Sequence, residues 1–191
     1  MSIRTGVIPG RALVLCAGLV LLQAYSAAAQ QTNVEFNVSG TSTVRSWTCT
    51  VKGVLAVTPG SGALAAPGFP NGVQTATLTV PVISFTCPEQ EMRQHLMDVM
   101  KPDKFPTIVY RLEKYEMSGA RAQTKGTITI SGVTAPAEFP IALKTSPEGV
   151  QIDGNTRIDM TKFGIDPPVV MLGLLKVGPQ VRIELKGVVG R

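Results

Sequence analysis

The chain has 191 residues, a formal net charge of +5, 44% hydrophobic residues and only 5% aromatic ones. Without the leader described below, which contains Arg4 and Arg11 and no acid, the charge falls to +3. So small a surplus with no basic cluster gives no support for a nucleic-acid partner, and about 160 remaining residues make one domain with one core.

Arg4 and Arg11 precede an apolar run from Ala12 to Leu22, and Ala27-Ala28-Ala29 follow. This is the layout of a secretory signal peptide cleaved after Ala29, with 1–29 removed and 30–191 as the folded domain. The run is shorter than the about 20 residues that a bilayer span requires. Cys16 lies mid-run with no small residue before it, so neither a spanning nor a lipid-modified anchor is expected. The expected location is the periplasm or the exterior. Two cysteines remain, Cys49 and Cys87. An even number in an exported chain favours a disulfide, with two buried free thiols as the alternative.

Val34, Phe36 and Val38 alternate with polar residues and predict a first strand, turned by Gly40-Thr41-Ser42. Trp47, Cys49 and Val51 share one face of a second. Thr58 to Gly72 is mostly Gly, Pro, Ala and Ser, which predicts a loop. Alternation resumes from Thr75 to Thr86 through Leu78, Val80 and Val82. Pro88 then opens a helix, with Glu89 and Glu91 in its first turn and Met92, Leu96, Val99 and Met100 at helical spacing. Pro102 ends it. Ile108, Tyr110 and Leu112 give the next strand.

A hairpin follows, with Ile128 and Ile130 on one arm, a break over Gly132 to Ala135, and Ala137, Phe139, Ile141 and Leu143 on the other. Ile152, Gly154, Thr156, Ile158 and Met160 alternate with polar partners, and Val181, Ile183 and Leu185 mark a final strand. About eight one-faced strands and one short amphipathic helix make an all-β domain. Such strands either stack as two sheets or close into an antiparallel barrel. A barrel of that size is filled by side chains or holds one small ligand.

His95 is the chain's single histidine. There is no Gly-x-Ser-x-Gly, Cys-x-x-Cys, His-Glu-x-x-His or phosphate-cradling Gly-x-x-x-x-Gly-Lys. No catalytic residue or metal site is assigned, no cofactor is expected, and His95 reads as a helix-surface side chain. The Met-rich helix face suits either a lid on a lipid cavity or an ordinary plug of the barrel end. Expected inward positions are mostly short aliphatics, with Phe36, Trp47, Tyr110 and Phe139 as the large exceptions. Short inward side chains leave an apolar tube open in a barrel, and a flattened sandwich would absorb them equally well.

Several segments in order resemble the YceI-like family. They are Gly-Thr-Ser-Thr-Val-Arg-Ser-Trp-Thr-Cys (40–49), the helix containing Met92, Lys-Phe-Pro-Thr-Ile-Val-Tyr (104–110), Gly-Thr-Ile-Thr-Ile-Ser-Gly-Val-Thr (126–134) and Phe-Gly-Ile (163–165). The resemblance implies a lipocalin-like antiparallel barrel that binds a long isoprenoid chain, polyprenyl or quinone-type, without chemistry. It places Phe36, Trp47, Leu78, Val80, Ile108, Tyr110, Ile128, Ile130, Phe139, Ile141, Ile158 and Phe163 at the ligand, with Met92 and Leu96 closing the tube. Relatives often carry His-Asp before the tryptophan, where this chain has Arg45-Ser46. The rival expectation is a filled barrel with a structural or partner-binding role, and pairing of two barrels as a homodimer is left open.

Overall fold

A computed structural model describes residues 29–60 and 64–189; the expected leader, apart from Ala29, lies outside the described residues. Nine strands form one sheet: β1 (Gln30–Ser42), β2 (Ser46–Pro59), β3 (Val73–Pro81), β4 (Thr107–Ser118), β5 (Arg121–Ile130), β6 (Val133–Ser146), β7 (Gly149–Asp159), β8 (Val169–Val170) and β9 (Leu175–Val189). Each of β1 to β6 pairs antiparallel with the strand that follows it, β7 pairs with β9, and β9 returns to β1. Eight strands therefore close an antiparallel barrel, with β8 a two-residue appendage on β9.

One barrel end, here the mouth, carries the β1–β2 turn, the helix α1 (Gln90–Met100), the β5–β6 turn and the β7–β9 connection. The other end, the base, carries residues 64–72 and the β4–β5 and β6–β7 turns. Inward–outward alternation is cleanest in β5, where Ala122, Thr124, Gly126, Ile128 and Ile130 are all buried and the residues between them are not.

Local details depart from expectation in instructive ways. Gly40 to Ser42 do not turn but extend β1, and the Trp47 indole lies directly over Gly40, where a Cβ would stand 2.5 Å from the ring. The hairpin break is only Ser131-Gly132, with φ of 48° and 79°, and Val133 to Ala135 already belong to β6. Two successive positive φ values are what a tight two-residue hairpin requires. β3 stops at Pro81 and not at Thr86; Val82 is buried at the start of a short 3-10 turn, its amide held by Pro106 O at 2.9 Å. The helix starts at Gln90 with Glu89 as its cap, two residues later than Pro88 suggests. Met160 leaves the strand for a second 3-10 turn, Met160–Phe163. That turn is capped by Asp159, which accepts from the Thr161 amide at 3.0 Å and hydroxyl at 2.6 Å.

The segment expected to be a bare loop contributes to the core. Phe69 is buried against Val57, Ala122, Leu143, Val150 and Val189 and closes the base. Tyr115 ties it down, its hydroxyl accepting from the Val73 amide at 3.0 Å and donating to Leu64 O.

Pro136 and Pro140 sit inside β6, where a missing amide would normally break a ladder. The ladder to β7 begins only at Ile141↔Gly154. Counting from the closing pair Ile130↔Val133, alternation aims both proline nitrogens away from β5, toward that unpaired stretch. The prolines therefore mark a seam in the wall.

Candidate binding site

The barrel interior is open. Two chambers, about 180 Å³ toward the base and about 310 Å³ at the mouth, meet along the axis. Val38, Phe85, Ile108, Ile128 and Ile183 line both and form the throat between them. Several inward residues, among them Leu78, Phe139 and Ile141, are only half-buried because they face this space and not one another.

The residues singled out from the sequence divide between the chambers. Phe36, Leu78, Val80, Tyr110, Phe139 and Ile141 line the inner one. Trp47, Met92, Leu96, Ile130, Ile158 and Phe163 line the mouth chamber. Ile108 and Ile128 belong to the throat.

Others on the lining were missed. Tyr115 faces inward because a bulge between Leu112 and Lys114 inserts a residue and resets the alternation. Opposite that bulge a Cβ on Gly126 would meet Arg111 O at 2.0 Å, so glycine is needed for the strands to approach. A glycine within a strand pattern was the available signal. His95, read as a surface residue, lines the mouth chamber, and Phe85 and Ile183 reach the throat.

Polar groups on the lining are few. In the inner chamber Tyr110 packs edge-on against Phe139 at 4.7 Å between ring centres. Its hydroxyl donates to Thr124 Oγ1 at 3.2 Å, which in turn donates to Phe139 O at 2.8 Å. Burial, partly offset by the Thr124 bond, holds the Tyr110 pKa above the ordinary phenol value. The folded pKa exceeds the unfolded one, so this stabilisation is complete below about pH 10 and declines as pH rises from there through the folded value. Tyr110→Phe is expected to flatten the loss of stability across that alkaline window. Urea unfolding midpoints measured either side of it, equal in slope for both proteins, would refute the effect.

Two residues of the mouth-chamber wall, Trp47 and His95, each carry a buried ring nitrogen with no hydrogen-bond partner, Nε1 and Nε2 respectively. Glu91 Oε1 is the nearest acid to His95, at 3.6 Å. At the rim, Arg45 in the β1–β2 turn pairs with Glu89, the residue that caps α1. Cys49 and Cys87 are joined as a disulfide, and Thr50 and Thr86 beside them exchange backbone hydrogen bonds at 2.8 Å. Together with Arg93 Nε, which donates to Phe85 O at 3.1 Å, they fix the helix-bearing segment over the mouth. The Cys49 sulfur lies 3.9 Å from that of Met92, on the chamber wall. Among the described residues no three His, Cys, Asp or Glu side chains gather as a metal site, and no helix is long and apolar enough to cross a membrane.

The fold has solved counterparts. Burkholderia cenocepacia BcnA superposes with a TM-score of 0.65 at 18% identity, covering 82% of this chain and 95% of that one. A domain from Saccharophagus degradans, described as polyisoprenoid-binding and implicated in plant cell wall breakdown, gives 0.63 at 12% identity over 86% and 98%. At such identities the likeness is one of fold. No curated protein matches the sequence. Residues 25–189 match the YceI-like domain, essentially the whole described barrel, and the chain belongs to that family.

Proposed function

We propose that this protein binds a long isoprenoid-type lipid, a polyprenyl or quinone tail, in its lumen and carries it, unreacted, in the periplasm or outside the cell. The observation that supports this most is the pair of joined apolar chambers. Both chambers are lined almost wholly by apolar side chains, and the outer one opens at the barrel end, so a greasy chain can enter and displace water that the walls cannot hydrogen-bond. Each buried methylene contributes ~0.8 kcal/mol, so a chain threading both chambers gains enough to offset its ordering. The Saccharophagus domain of the same fold, described as polyisoprenoid-binding, is consistent with this choice of tail. The rival filled barrel needs contacts across the axis that the two chambers interrupt.

Export through the amino-terminal leader agrees with the disulfide, which persists in oxidising compartments. Native mass spectrometry of protein purified without detergent tests the reading. A lipid adduct, or stoichiometric uptake of an added isoprenoid quinone, is expected; neither appearing would overturn it.

The head group is proposed to lie in the mouth chamber, whose wall includes Trp47 and His95, and to draw the unpartnered Trp47 Nε1 into a hydrogen bond on binding. Indole nitrogen only donates, so the complementary ligand atom is an acceptor such as a quinone carbonyl. Trp47→Phe keeps the packing over Gly40 and removes the donor. It is expected to weaken quinone binding by ~1 kcal/mol, about fivefold, while leaving a headless isoprenoid hydrocarbon unaffected. Titrations of both ligands that change equally would remove this hydrogen bond from the account.

A further inference from the structure

The connection between β7 and β9 carries nine successive uncharged residues, Pro167 to Leu175. Its inner side closes the mouth chamber through Pro168 and Leu175, with the Val177 amide donating to Pro168 O at 3.0 Å. Its outer side is apolar and uncovered: Val169 is 59%, Leu172 106% and Leu174 78% exposed. Val44, 68% exposed in the β1–β2 turn, stands beside them. The two segments are stitched by the Thr43 amide to Lys176 O at 3.0 Å and Thr43 Oγ1 to Leu174 O at 2.9 Å. Of the eight large apolar side chains exposed among the described residues, four are in this crest. Leu172 also holds a φ of 54°, a left-handed conformation disfavoured for a side chain with a Cβ. A strained leucine projecting fully into water gains nothing from this chain alone.

We propose that the crest docks on a lipid bilayer, with Leu172 and Leu174 entering the interface and the mouth chamber opening against the acyl region. The proposal takes its purpose from the lipid-binding reading, since the same short segment faces the lumen on one side and solvent on the other. A second copy or a protein partner seated here would stopper the mouth. A bilayer is the apolar partner that leaves a greasy chain a way in and out. Charge does not supply the attraction: Arg45 at the rim is paired with Glu89, Lys162 lies beside Asp159, and Pro167 to Leu175 carry no charge. Docking therefore rests on apolar insertion and is expected to need no anionic lipid and to resist salt.

The test is cosedimentation of protein of verified amino terminus, purified without detergent, with phosphatidylcholine vesicles that contain no isoprenoid. Expected is salt-insensitive binding that falls at least tenfold in the Leu172→Asp, Leu174→Asp double variant. Ile83→Asp, which removes a 67% exposed side chain elsewhere, should bind as the parent does. A Leu172→Trp reporter in a Trp47→Phe background should shift to the blue on vesicles and be quenched by brominated acyl chains. Absence of binding by the parent, or equal loss in Ile83→Asp, overturns the proposal. So does self-association abolished by the double variant without vesicle binding, which would assign the crest to a second copy. Quinone uptake is measured separately in lipid-free solution, so failure of docking and failure of the lipid-binding reading give different results.

Discussion

Ile183→Trp is expected to leave the barrel folded and to reduce isoprenoid uptake about a hundredfold or more. Ile183 lies on β9, is half-buried, and lines both chambers with its cross-strand partner Val38. Enlarging a side chain in a tight core typically costs 1–3 kcal/mol, but here the added ring enters open space at the throat, so the unfolding midpoint should hardly move. The ligand bears the effect. A tail stopped at the throat forgoes the inner chamber, and each methylene left outside gives up ~0.8 kcal/mol. Four excluded methylenes amount to roughly 3 kcal/mol, which is about two decades of affinity. Ile183→Leu, of equal volume, serves as the control and should bind as the parent does. Full uptake by the tryptophan variant, measured by titration with an isoprenoid quinone, would mean that the tail does not pass the throat.

The throat shows which parts of this molecule a sequence can reveal. Alternation is a local property, so the wall strands and the parity of Ile128, Ile130, Phe139 and Ile141 were legible, whereas the choice between an open lumen and a flattened sandwich was not. The fourteen residues taken from that parity, the helix spacing and the family likeness all lie on the lumen wall. What escaped depends on contacts distant in sequence or on a single displaced residue. The β4 bulge shifts parity after Leu112, so Tyr115 points inward against the pattern that precedes it. Phe69 sits in a Gly-Pro-Ala stretch that local composition marks as loop, yet it is buried because the chain folds back over the base. His95 has the spacing of a helix surface residue, and only the placement of α1 over the mouth turns it toward the chamber. The prolines of β6 argue against a central strand when read alone; they become intelligible once the β6–β7 ladder is seen to start at Ile141.

Replacing Cys49 and Cys87 together by serine is expected to lower stability by up to about 4 kcal/mol, the chain-entropy value for a crosslink separated by 38 residues. For a domain of this size that corresponds to a fall of roughly 10 °C in the unfolding midpoint. The bond does more than shorten the unfolded chain. It joins β2 to the start of the segment that carries α1, whose other polar ties to the wall include the Thr50–Thr86 pair, Ser84 Oγ to Lys52 O at 2.7 Å and the exposed Arg45–Glu89 bridge. Exposed ion pairs contribute at most ~1 kcal/mol. Without the crosslink the helix face bearing Met92 and Leu96 is held over the mouth mainly by its own packing, and local opening becomes easier. Bound lipid should therefore leave the double variant faster than the parent even well below its unfolding temperature, and reduction of the parent should reproduce the change. Stability and release rate are separable readouts, and they divide the two roles of the bond. A lower midpoint with unchanged release would confine the disulfide to the unfolded state, whereas faster release identifies α1 as the moving lid of the chamber.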